Sequence, residues 1–128
     1  MKIKRGIPLI DQHDKGGFWG GKFGGNFIPE TLIKPVEDLT ILFEKLRKDK
    51  KFISDRDYYF KNWVGSPTSF IKLENLTEYL GGAQIWAKVV SEANGGAHKI
   101  YNATVHSLIA KKAGKKYIVG DTGAGYAG

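Results

Sequence analysis

The chain has 128 residues, 41% of them hydrophobic and 26% charged, with a formal net charge of +7 and no cysteine. That length and balance fit one globular domain with a modest core and exclude a disordered composition, while the missing thiols exclude a disulfide framework and a thiolate metal site. No apolar run reaches the length of a membrane span, and the start Met1-Lys2-Ile3-Lys4-Arg5 lacks the apolar core of a signal peptide, so the expectation is a cytoplasmic protein with no membrane partner.

Residues 1–28 are rich in glycine and aromatic side chains, above all from Gly16 to Gly25, and read as an irregular lead-in. From Pro29 the residues Leu32, Val36, Leu39, Phe43 and Leu46 recur at helical spacing and predict an apolar stripe turned toward a core. Pro29 suits a first helical position, whereas Pro35 predicts a kink or a restart. A second helix is predicted from Ser54, as its cap, to Trp63, with Gly65 and Pro67 stopping it. Leu73, Leu76 and Leu80 mark a short helix closed by Gly81.

Ile85 to Val90 reads as a buried strand, His98 to Ala113 as a helix with Ala103, Val105, Leu108 and Ile109 inward, and Tyr117 to Gly120 as a second strand. Strand, helix and strand predict a right-handed βαβ unit. The expected fold class is therefore α/β, a small parallel sheet with flanking helices, over residues 29–128. The lysines fall in small groups, Lys48, Lys50 and Lys51, then Lys111, Lys112, Lys115 and Lys116. The second group sits where a helix ends and its carbonyls favour cations, so the charge reads as solvated helix ends and no nucleic-acid partner is expected.

Two segments carry chemistry: Gly95-Gly96-Ala97-His98-Lys99-Ile100-Tyr101-Asn102 and Gly120-Asp121-Thr122-Gly123-Ala124-Gly125. In a βαβ unit, ligands bind in the crevice at the carboxyl ends of the strands. Lys99 falls in the first turn of its helix, where the positive end of the dipole favours the neutral, nucleophilic amine that attacks an aldehyde. His98 beside it can donate to a phosphate, and Asp121 can exchange protons with a substrate. Thr122, Gly123, Ala124 and Gly125 offer closely spaced N–H groups to a carboxylate. Each feature also has an ordinary reading, as a solvated lysine, a helix cap or a turn. His13 and His106 read as surface or packed histidines, and no spacing of histidines and carboxylates suggests a metal.

These segments, with Phe23-Gly24-Gly25-Asn26-Phe27-Ile28-Pro29-Glu30, Gly65-Ser66-Pro67-Thr68 and Leu76 to Trp86, resemble in order and spacing the N-terminal portion of the tryptophan synthase β-chain family, fold-type II pyridoxal-phosphate enzymes. The resemblance implies that Lys99 carries the cofactor pyridoxal 5'-phosphate with His98 beside its phosphate. It further implies that Asp121 is the acid–base group and that Thr122 to Gly125 bind the substrate carboxylate. The implied reaction joins L-serine and indole to L-tryptophan, with an α chain and a second β chain as partners.

The sequence departs from the family pattern in several places. The family's Lys-Arg-Glu-Asp-Leu is Lys88-Val89-Val90-Ser91-Glu92, its asparagine after the lysine is Tyr101, and its glutamate is the shorter Asp121. Its turn arginine is Ser66 and its Gln-His is Tyr126-Ala127. The family's glycine-rich phosphate loop lies beyond the matched region, so a truncated chain, inactive or nearly so, is expected. The alternatives are another pyridoxal-phosphate lyase acting on a serine- or threonine-like substrate and a non-catalytic interaction domain.

Overall fold

A computed structural model describes residues 4–125. The chain divides into two units, Met1–Leu39 and Thr40–Gly128.

In the first unit a 3-10 turn at Leu9–Asp11 precedes a hairpin of β1 (Phe18–Trp19) and β2 (Phe23–Gly24), paired antiparallel. The region read as an irregular lead-in thus contains a short ordered ribbon. Its glycines serve packing as well as turning. Gly25 has φ +98, and a Cβ there would lie 2.6 Å from the Phe27 ring and 2.7 Å from the Phe18 ring. Those two rings meet edge to face at 6.0 Å. Ahead of the hairpin, Gln12 is buried and satisfied through its amide. Its Nε2 donates to Ile7 O at 2.7 Å and Lys4 O at 3.0 Å, and its Oε1 accepts from the Lys4 N–H at 2.9 Å.

The helix α1 (Glu30–Leu46) runs unbroken through Pro35, against the predicted kink or restart. Pro35 lies near the helix start, where it removes only the donor that would have reached the Thr31 carbonyl. The stripe predicted to face a core does so only at its end. Leu46 is buried and Val36 half-buried, whereas Leu32 and Leu39 are 48% and 49% exposed.

In the second unit α2 (Lys50–Tyr59) starts earlier than predicted, and its cap is Asp49, not Ser54. Asp49 Oδ1 accepts from the N–H groups of Lys51 at 2.8 Å and Phe52 at 3.2 Å, taking up two of the donors that a helix start leaves free. The helix continues as a π-helical turn, Phe60–Val64, and ends at Gly65 in the left-handed region, as the glycine predicted. A short strand that the pattern did not signal, β3 (Phe70–Lys72), follows. After it come α3 (Glu74–Leu80), closed by Gly81 at φ 62, and β4 (Trp86–Lys88). A 3-10 turn at Val90–Glu92 leads to α4 (Lys99–Lys112), with Lys111 and Lys112 in its last turn.

The predicted parallel sheet is not formed. Strands β3 and β4 pair antiparallel, with Phe70 opposite Lys88, Ile71 opposite Ala87 and Lys72 opposite Trp86. Residues 117–120, predicted to be the parallel partner, run as coil with Val119 94% exposed. A strand exists only through its ladder, and an apolar run cannot form one alone. Nor is β4 buried: Trp86 is 47% exposed.

Along α4 the residue that enters the core is Thr104, 9% exposed, while Ala103 is exposed and Val105, Leu108 and Ile109 are half-buried. Thr104 satisfies its hydroxyl by donating to Ile100 O at 2.7 Å. Among the described residues the buried apolar side chains are Leu46, Phe52, Val64 and Ala93. Among the described residues no helix is long and apolar enough to cross a membrane.

Candidate functional site

Lys99 opens α4 and is exposed, with exposed His98 at the N-cap position immediately before it. His98 has helical backbone angles, φ −67 and ψ −20, and makes no side-chain cap bond, and the first turn of α4 carries no acidic residue. An amine and an imidazole therefore stand at a helix start to which the N-cap residue gives no side-chain bond. That is a donor set suited to an anion. The chain arrives there through Gly95 at φ 83 and Gly96 at φ 74, conformations that glycine adopts without strain. At Gly96 a Cβ would meet nothing within 4 Å, so backbone angle and not crowding calls for glycine there.

The segment before this loop is fastened to the rest of the unit. Glu92 accepts from the Ser69 N–H at 2.7 Å, and Asn94 donates from its backbone N–H to Val64 O at 2.9 Å and from Nδ2 to Trp63 O at 3.0 Å. The Ser69 backbone N–H, and after it the Ser69 hydroxyl, hold the Glu92 carboxyl below its ordinary value. The Lys88 amine donates to Thr68 O, while the buried Thr68 hydroxyl has no partner. Tyr101, in the first turn of α4, sets its ring edge-on to Phe60 at 5.3 Å. Sequence reasoning singled out none of Glu92, Asn94 and Ser69. The only signal was an asparagine directly before a glycine pair, which reads first as a turn.

Asp121, Thr122, Gly123, Ala124 and Gly125 lie in exposed coil after α4. A Cβ added at Gly120, Gly123 or Gly125 would meet nothing within 4 Å, so the loop's backbone is open. The strand that was to carry Asp121 back beside Lys99 is absent. Lys99 and His98 are neighbours at one helix start, and Asp121 is not joined to them by a common sheet.

A groove of about 330 Å³ runs along the flank of α4, with Tyr59, Trp63, Ile100, Leu108 and Lys111 among its lining residues. Among the described residues no group of three or more histidines, cysteines or carboxylates is placed to hold a metal ion.

No model of a known protein family matches the chain. The tryptophan synthase beta chain of Leptospira biflexa serovar Patoc, from each of two strains, is 45% identical over 108 residues. The match covers 84% of this chain and 27% of the relative, so the chain spans about a quarter of the length of the curated relatives it matches. The resemblance carried by the motifs is thereby shown: the chain is similar to a tryptophan synthase β chain, consistent with an N-terminal portion of it.

Proposed function

We propose that this chain is the lysine-bearing portion of a pyridoxal-phosphate-dependent lyase of tryptophan biosynthesis, in which Lys99 is the amine that takes the cofactor. The observation that carries the reading is the match of 45% identity over 84% of the chain, together with the exposed Lys99 in a first helical turn that lacks any acid. The residues present fit the group. Lys99 supplies an amine for an aldehyde, while His98 and the first N–H groups of α4 supply donors for a phosphate. When bound, pyridoxal phosphate supplies an aldehyde and a ring that withdraws electrons.

The chain's own residues would divide the remaining work. Asp121 would hold or move a proton, and the backbone N–H groups of Thr122 to Gly125 would orient the carboxylate of an amino acid such as L-serine. Indole as second substrate, and an α chain and a second β chain as partners, follow from the same reading, as does a cytoplasmic location. In it, residues 29–128 form the partial enzyme domain of fold-type II lineage, with residues 1–28 leading into it.

By itself the chain is inactive or nearly so. Lys99 and Asp121 are both exposed to water, and a site for proton transfer needs its groups fixed and its solvent excluded. The test is a titration with pyridoxal phosphate, reading the absorbance change and its loss in Lys99→Ala. No difference between the two proteins would refute the assignment of Lys99. Tryptophan formed from serine and indole by this chain alone would refute the inactivity.

One observation favours a second reading, a non-catalytic interaction domain. Phe70 and Trp86 stack at 5.1 Å across the β3–β4 pair while remaining 62% and 47% exposed, and Tyr79 and Leu80 nearby in sequence are 86% and 58% exposed. Capture of an α chain or a whole β chain by a Lys99→Ala variant would support that reading.

A further inference from the structure

Between Ala93 and His98 the chain has no regular structure, yet this segment sets where Lys99 begins its helix. It is Asn94 that fastens it. The backbone N–H of Asn94 donates to Val64 O at 2.9 Å, and its side-chain Nδ2 donates to Trp63 O at 3.0 Å. Those two carbonyls close the π-helical turn Phe60–Val64, where the helix supplies no further donors of its own. A single residue thus caps the turn with both of its donors.

The anchor is firm on each side. Val64 is fully buried and Ala93 is 3% exposed. Beyond Asn94, the Gly96 N–H donates to Ala93 O at 2.8 Å and closes the reversal made by the glycine pair. On the far side of Lys99, Tyr101 meets Phe60 of the same turn at 5.3 Å. Lys99 therefore lies between two attachments to one structural element, Asn94 before it and Tyr101 after it.

We propose that Asn94 is a positioning residue. Through the backbone it fixes the direction from which the Lys99 amine meets an aldehyde, without touching the ligand itself. The proposal rests on the reading of Lys99 as the aldehyde-binding amine. Aspartate has the same shape but no side-chain donor, and it sets a carboxylate against the Trp63 carbonyl, so Asn94→Asp removes the side-chain half of the tether at constant volume and leaves the backbone bond to Val64 O. Asn94→Ala removes the same side-chain bond without adding charge.

The experiment has two arms on the full chain. Hydrogen exchange is read over the amides of residues 95–99, with those of α2 as reference. Labelling by pyridoxal phosphate followed by borohydride is read by mass spectrometry as the share of label on Lys99 against all other lysines. In both variants, exchange over 95–99 is expected to rise about fivefold, the factor that corresponds to one lost net hydrogen bond, while α2 is unchanged. The share of label on Lys99 is expected to fall with it. Exchange that stays at the wild-type rate in both variants overturns the proposal. So does a Lys99 share that holds while exchange rises. If the wild-type chain shows no preference for Lys99, the cofactor assignment fails, and the exchange arm still decides the tether.

Discussion

Replacing Val64 by alanine probes the part of the fold on which the lysine loop hangs. Val64 is 0% exposed, the largest side chain so completely enclosed among the described residues, and its carbonyl receives the Asn94 N–H at 2.9 Å. The change removes two methylene equivalents at about 0.8 kcal/mol each, or about 1.6 kcal/mol of transfer free energy. If the site does not collapse, a void of roughly 50 Å³ adds about 1.2 kcal/mol at about 24 cal/mol per Å³. The expected loss is therefore about 2–3 kcal/mol, a large share of the stability of a small domain. It corresponds to a fall of about 10 °C or more in the melting midpoint. Urea and thermal unfolding followed by circular dichroism read it directly. Among the described residues the other buried apolar side chains are few, namely Leu46, Phe52 and Ala93, so a small core has little material to fill the gap. A loss below about 0.5 kcal/mol, within the range of ordinary surface substitutions, would show that Val64 is not enclosed and would remove the stated anchor of the loop.

Asp49→Ala is expected to lower the melting midpoint and the helical signal, because it leaves the Lys51 and Phe52 N–H groups without their acceptor. The same carboxyl is held below its ordinary value of 3.8, first by the Phe52 N–H and then by the Lys51 N–H, and Glu92 is held below 4.5 by Ser69. Since both folded values are depressed, their stabilisation is fully present above the ordinary values and is lost as pH falls through the lowered ones. Unfolding followed from about pH 6 to about pH 2 should show that loss, diminished in Asp49→Ala. Gly25→Ala forces a Cβ to 2.6 Å from the Phe27 ring at φ +98, and is expected to cost the hairpin unit about 2 kcal/mol, read as faster amide exchange around Phe18 and Phe23. Phe70→Ser should leave stability within about 1 kcal/mol while reducing the binding of an apolar dye, because Phe70 is already 62% exposed.

The helices were legible where a glycine had only one thing to do. Gly65 and Gly81 both take positive φ at the end of a helix, where the sequence placed the stops. Apolar spacing over residues 32–46 identified α1 correctly, but it could not say which residues on the stripe would be covered, since burial belongs to the partner surface. The cap was misplaced because both Ser54 and Asp49 are good acceptors, and the choice between them depends on where the previous helix ends. The error over Tyr117–Gly120 has a different origin. A β-propensity run reports what a strand would accept, whereas a ladder needs a neighbour, and β4 takes β3 instead. Lys99 and His98 were legible because a helix start is local. Asn94 was not, because its role depends on two carbonyls some thirty residues earlier in the chain.

In the proposed role, Lys99 reacts with the cofactor because of where it stands. The most direct measurement of that role is the mass-spectrometric map of the wild-type chain after pyridoxal phosphate and borohydride. The expected adduct is concentrated on Lys99 at low cofactor concentration, with total label falling in Lys99→Ala. An adduct spread evenly over the exposed lysines, such as Lys34, Lys51 and Lys111, and unchanged in amount by Lys99→Ala, would contradict it.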